Sequence, residues 1–185
     1  MKPKSFTITE QEAIEEKIEQ LIMVKKGLIS AKDLSDMIAK RRINWIMANA
    51  DIIKRYNHLR PEEKAHKIIF LEHMKINPGH SEVIRLEEGA IRINSYNFCP
   101  YLIASLEVGL DTKFVCKEIN EQSIIQMCKM IHPSLTFMRD YSQTRPRFPH
   151  FCREYIIDKN PIQKEAPYAK RLSAGSVNAV ACFNF

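Results

Sequence analysis

At Asn77-Pro78-Gly79 the chain changes its hydrophobic period, and no other feature restricts its fold as much. Upstream, apolar residues recur at the three- and four-residue spacing of amphipathic helices; downstream, they alternate as in half-buried strands. A chain that carries both periods, without an internal repeat or a low-complexity segment, is expected to bury both kinds of face in one α+β domain.

Three helices are predicted before the switch. Thr9-Glu10-Gln11-Glu12 has the form of a capping box, and Ile14, Ile18, Leu21 and Ile22 share one face, so a helix is expected from about Glu10 to Lys26, closed by Gly27. Ser30 suits the N-cap of a second, long helix carrying Leu34, Ile38, Trp45, Ile46 and Ile53, with a bend near Asn49. Pro61 followed by Glu62 and Glu63 opens a third through Ile68, Ile69 and Leu71, because proline lacks only a donor that the first turn leaves unused and carboxylates favour its positive end.

After the switch, Glu82 to Glu87 and Ala90 to Ser95 alternate around Glu88-Gly89, which predicts a hairpin with glycine at the positive-φ position of the turn. Pro100 opens a short helix that ends near Gly109, and a longer one is expected from about Lys113 to Ile131, stopped before Pro133. Leu135 to Tyr141 and Phe151 to Ile157 complete an antiparallel sheet of about four strands with two flanking helices. The organisation expected is a single domain: a helical section over residues 1–77, a cysteine-containing α+β section over 78–157, and a tail over 158–185.

Composition narrows the function classes. No long uncharged apolar run is present, and Met1-Lys2-Pro3-Lys4-Ser5 leads into a polar segment, so no membrane partner is expected and the location is read as cytoplasmic. The formal charge of +6 is spread along the chain, with short clusters only at Lys40-Arg41-Arg42, Arg145-Pro146-Arg147 and Lys170-Arg171. No nucleic-acid-binding motif accompanies it, so a solvated basic surface or a pocket for a small anionic molecule is preferred to a nucleic-acid partner. Five cysteines, an odd number at irregular spacing, read as reduced thiols.

Three of those cysteines fall at predicted element boundaries: Cys99 in Phe98-Cys99-Pro100, Cys116 in Phe114-Val115-Cys116, and Cys152 in His150-Phe151-Cys152-Arg153. Packing of the sheet against the helices would bring them together. Cys128 lies further along the same predicted helix as Cys116, and Cys182 belongs to the tail. A helix start favours an anion and can lower a thiol pKa, which makes Cys99 a candidate nucleophile. Three thiolates can equally hold zinc or an iron–sulfur cluster, and unpaired cysteine is often a small core hydrophobe; spacing leaves all three roles open, and the cofactor is either none or a thiolate-bound metal.

The same segment resembles the L-2-amino-thiazoline-4-carboxylic acid hydrolase family, whose C-terminal half carries a Cys-Pro before a helix, a second Cys at the next helix and a late Cys in a closing strand. The resemblance covers roughly the last half of the chain. It implies a hydrolase that opens a C–N bond in a small cysteine-derived thiazoline, with Cys99, Cys116 and Cys152 at the site. Candidate partners for the thiols are Glu121 as general base and His132 or His150 as proton shuttle. Arg139 and Arg145 are candidates for holding a substrate carboxylate, since a guanidinium fork matches that group; Asp140 or Glu154 is the alternative partner of Arg139. The competing class is a non-catalytic module that binds a metal or small ligand between the three cysteine-bearing elements.

The tail turns small and apolar from Leu172 and ends Phe183-Asn184-Phe185. It is expected to dock against the domain, a second copy or a protein partner; the other reading is a scaffold that presents this segment to a partner enzyme.

Overall fold

The computed structural model describes residues 6–86, 89–145 and 151–161. Helix α1 (Ile8–Lys25) begins at a true capping box, but two residues before the expected one: Thr7 accepts from the Glu10 amide and the Glu10 carboxylate accepts from Thr7. Helix α2 (Ala31–Ala48) opens on the reciprocal Ser30–Asp33 box. It breaks at Asn49, the predicted bend, and a short α3 (Ala50–Arg55) follows. Pro61 begins α4 (Pro61–His66), which widens into a π-helical segment, Lys67–His73.

Strands β1 (Ser81–Arg85) and β2 (Ala90–Ser95) form the expected hairpin, with Gly89 at φ 74°. Helix α5 (Pro100–Val108) ends on Gly109 at φ 69°. The single long helix expected next is three pieces: α6 (Thr112–Phe114), a second π-helical segment (Val115–Glu121) and α7 (Gln122–Ile131). Strands β3 (Leu135–Asp140) and β4 (Cys152–Asp158) complete a four-stranded antiparallel sheet in the order β1-β2-β4-β3.

Pairing register decides what the sheet presents to the helices. Ile91 lies opposite Ile156, which lies opposite Phe137; one step along, Ile93, Glu154 and Arg139 are aligned, and beyond them Ser95 faces Cys152. Side chains two apart on a strand share a face, so one inner surface runs from apolar to polar along the strand direction. Its apolar end joins Ile68, Ile69, Phe70, Ile124, Met127 and Leu135 in one buried cluster. A second cluster joins α1, α2, α5 and the second π segment through Leu21, Leu34, Ile38, Tyr101, Val115 and Ile119. Each fully buried aliphatic side chain contributes about 1.5–3 kcal/mol relative to exposure. Among the described residues no helix is long and apolar enough to cross a membrane.

Two histidines sit within this frame. Burial, assisted by Lys67, lowers His66 to about 4, and burial with repulsion from Arg42 and Lys75 lowers His73 to about 4. An unfolded imidazole titrates near ~6.5, so the folded protein holds both rings neutral where the unfolded chain would already be protonated. Their contribution to stability is therefore complete above about pH 6.5 and is lost as pH falls toward 4. We expect the unfolding free energy to drop across that window, by at most about 1.4 kcal/mol per pH unit for His66 and less for the more solvated His73. Equilibrium unfolding at several pH values, repeated on His66→Leu, checks it; an equally steep loss in the variant would contradict the assignment.

Candidate functional site

The polar end of the sheet's inner face is built around a buried ion pair. Arg139 Nε donates to Glu154 Oε1 at 3.1 Å and Arg139 Nη2 donates to the same oxygen, while Ser95 Oγ donates to Glu154 Oε2 at 2.9 Å. The two charged side chains are only 9% and 7% exposed. Burial alone would favour an uncharged guanidinium, but the Glu154 carboxylate holds the Arg139 pKa above its ordinary value. The guanidinium also stacks on the Phe137 ring at 5.4 Å. Arg139 Nη1 is buried and has no hydrogen-bond partner among the described residues, a donor left over in a site where unpaired donors are costly.

Cys99, Cys116 and Cys152 surround this pair, each in electrostatic range of the other two. The elements that bring them there are the α5 N-terminus, the second π segment and the first residue of β4, so the convergence expected from their boundary positions is present. Their environments differ. Cys99 is the N-cap residue of α5, yet its side chain makes no capping hydrogen bond. Burial pushes its thiol up, against weaker pulls from the Leu102 amide and the Arg145 guanidinium, so the lowering expected from the helix N-terminus is overridden. Burial pushes Cys116 up to about 12, although Arg139 pulls the other way. Cys152 alone receives a charged donor on its sulfur, from Arg145 Nε at 3.5 Å. Cys128 belongs to the apolar core, where burial raises it to about 12, and Cys182 lies outside the described residues.

Arg145 is tied down further. Its Nη1 donates to the Asn97 carbonyl at 2.6 Å and its own carbonyl accepts from Thr112 Oγ1 at 3.3 Å. Arg145, the last described residue before position 151, is thereby tied to the segments that start α5 and α6. At the rim Tyr141 OH donates to Glu121 Oε2, and the tyrosine's pKa is raised, by burial first and by that carboxylate second. Cys116 and Arg139 both act on the Tyr141 hydroxyl, which puts the Tyr141–Glu121 pair at the edge of the thiol cluster. The π segment explains the position of Glu121: its i→i+5 hydrogen-bond register brings residues five apart, such as Cys116 and Glu121, onto a common side. Within the same turn Asn120 Nδ2 donates to the Val115 carbonyl at 3.3 Å.

His132 is elsewhere. Its Nδ1 lies 2.6 Å from Ser134 Oγ, which donates to Asp158 Oδ1. Cys152 and Asp158 are the two ends of β4, about 20 Å apart at ~3.3 Å per residue, so His132 cannot move a proton at the thiols. Nor is this a hydrolase triad, since the serine, and not the histidine, occupies the middle position. His150 lies outside the described residues.

Glu154 was named from the sequence as an alternative partner of Arg139, and that pair is the one present; Ser95, Tyr141 and Arg42 escaped the sequence reading. Strand alternation was a usable signal for Ser95, which lies opposite Cys152 on the face shared with Glu154 and Ile156. Arg42 carried none: it looked like part of a surface basic cluster, but α2 turns it inward, where Nη1 donates to Ser123 Oγ at 2.5 Å. Burial lowers it to about 10, and Tyr101, Arg139 and Cys99 are its electrostatic neighbours. Among the described residues no group of three His, Cys, Asp or Glu side chains is arranged to hold a metal ion. No family model, curated protein or solved structure matches the chain.

Removing one member of a desolvated ion pair strands the other charge. Arg139→Met should therefore cost about 3–5 kcal/mol of unfolding free energy, and Arg139→Met combined with Glu154→Leu should recover most of that loss. Urea unfolding of the two variants measures both. Equal instability of the single and double variants would show that Glu154 is held by something other than Arg139.

Proposed function

We propose that the protein is a thiol-dependent hydrolase that opens a carbon–nitrogen bond in a small, carboxylate-bearing ring of the thiazoline type. One observation carries this reading: a sulfur contacted by a guanidinium donor, Cys152, shares a cluster with a buried guanidinium nitrogen, Arg139 Nη1, that has no partner among the described residues. A substrate carboxylate would give that nitrogen a charge-assisted hydrogen bond and repay the desolvation of the site. Cys152 is preferred to Cys99 and Cys116 as nucleophile because Arg145 Nε donates to its sulfur.

In the proposed chemistry the Cys152 sulfur adds to the electron-poor ring carbon and its proton passes to the ring nitrogen; a second proton moves from the exocyclic amino group to that nitrogen as its bond to the carbon breaks, leaving the carbon doubly bonded to the exocyclic nitrogen. Water attacks the sulfur-bound carbon, the carbon–sulfur bond to the enzyme breaks, and the thiol regains a proton; the net change is the addition of one water. Glu121, with Tyr141 donating to it, is the carboxylate at the cluster's edge able to take and return the proton. Arg145 favours the developing thiolate, and Arg139 orients the ring through its carboxylate. A metal-binding module gains no comparable support, since the described residues offer no ligand set.

Incubation with 2-amino-thiazoline-4-carboxylate, with ring opening followed by chromatography, tests this assignment. Wild-type protein should turn it over, Cys152→Ser should abolish turnover, and Glu121→Gln should lower kcat by about 10²–10⁴-fold. Inert wild-type protein, or undiminished turnover in Cys152→Ser, would overturn the reading.

A further inference from the structure

A concave site lies along the edge strand β1. The helical layer covers β2 and β4 but leaves the inner face of the edge strand β1 open, and a cavity of about 480 Å³ fills the step between β1 and the first π segment. Its size falls within the range of small-molecule pockets, about 300–1,000 Å³. Leu71, Val83 and Ile91 supply apolar walls. Val83 is 42% exposed, an apolar side chain that the described residues leave partly uncovered.

His66 borders the same cavity and is 7% exposed, and its buried Nε2 has no hydrogen-bond partner among the described residues. A neutral imidazole in that position offers one hydrogen bond to whatever enters. His66 is also the residue from which the helix widens into its π segment, a departure from α geometry that is frequent at functional sites. Lys67 and Arg85 stand at the rim, both exposed, while Glu63 accepts from Arg85 and so balances one of the two charges. Among the described lining residues the cavity thus carries an excess of one positive charge over an apolar floor.

We propose that this cavity binds a small amphipathic carboxylate, its apolar body against Leu71, Val83 and Ile91, its head group at Lys67 and Arg85, with His66 as the inner hydrogen-bond partner. The anionic head is favoured by the rim charge and the apolar body by the uncovered wall. The site is independent of the thiol cluster and does not rest on the hydrolase reading.

Octanoate, octanol and octylamine serve as probes in calorimetric titrations of the full chain. Octanoate should bind saturably, octanol more weakly, and octylamine not at all. Val83→Trp, at an exposed edge position that tolerates change, should fill the cavity and abolish binding while leaving the circular dichroism spectrum unaltered. Lys67→Glu should weaken octanoate severalfold. Absence of saturable octanoate binding, equal binding of octanol or octylamine, or unchanged binding by Val83→Trp would each overturn the proposal.

Discussion

The buried Arg139–Glu154 pair is the interaction on which the rest of this structure depends. Two opposite charges on adjacent strands are removed from water, and their desolvation is offset only where further hydrogen bonds complete the shell. Ser95 completes it for the carboxylate. For the guanidinium one nitrogen remains unmatched among the described residues, and that deficit makes the region a candidate for binding an anion. The pair also divides the interior, with the sheet-centred apolar cluster on one side and the cluster of α1, α2, α5 and the second π segment on the other.

The helices deliver side chains to that boundary by departing from regular geometry. Between Val115 and Glu121 the widened turn carries Cys116 inward and brings Glu121 to Tyr141. Proline at position 100 starts α5 immediately after Cys99, which fixes that sulfur where the strand-to-helix connection enters the cluster. The order β1-β2-β4-β3 places β4 centrally, so Glu154 has strand partners on both sides, Ile93 and Arg139, while Cys152 at the start of the strand pairs with Ser95 of β2. Covering the centre leaves β1 at the edge, and the same arrangement that encloses the thiols opens the cavity beside His66.

Much of the fold was legible in the sequence because the signals were local. Proline at helix starts, glycine at positions 89 and 109, and alternation in four strands are each decided within a few residues. The error over the capping box has the same origin: Thr7 and Thr9 are two residues apart at the helix start, and only the reciprocal bond to Glu10 distinguishes Thr7 as the cap. The site was legible in part. Boundary positions pointed to three converging cysteines, Glu154 was named as an alternative partner of Arg139, and strand alternation could have added Ser95. The inward turn of Arg42 and the π register were not readable, since both depend on which helix face meets which neighbour. His132 was misplaced for the same reason, being adjacent to the helix end in sequence but at the far end of β4 in space.

The central claim is that guanidinium groups organise the thiols so that Cys152 is the reactive one. Its most direct measurement is the rate of iodoacetamide alkylation of each cysteine in the native protein, followed peptide by peptide by mass spectrometry. The account predicts that Cys152 reacts ahead of Cys99 and Cys116, that Cys128 is protected in the core, and that Arg145→Ala slows Cys152 selectively. Faster modification of Cys99 or Cys116, or a Cys152 rate unchanged by Arg145→Ala, would contradict it.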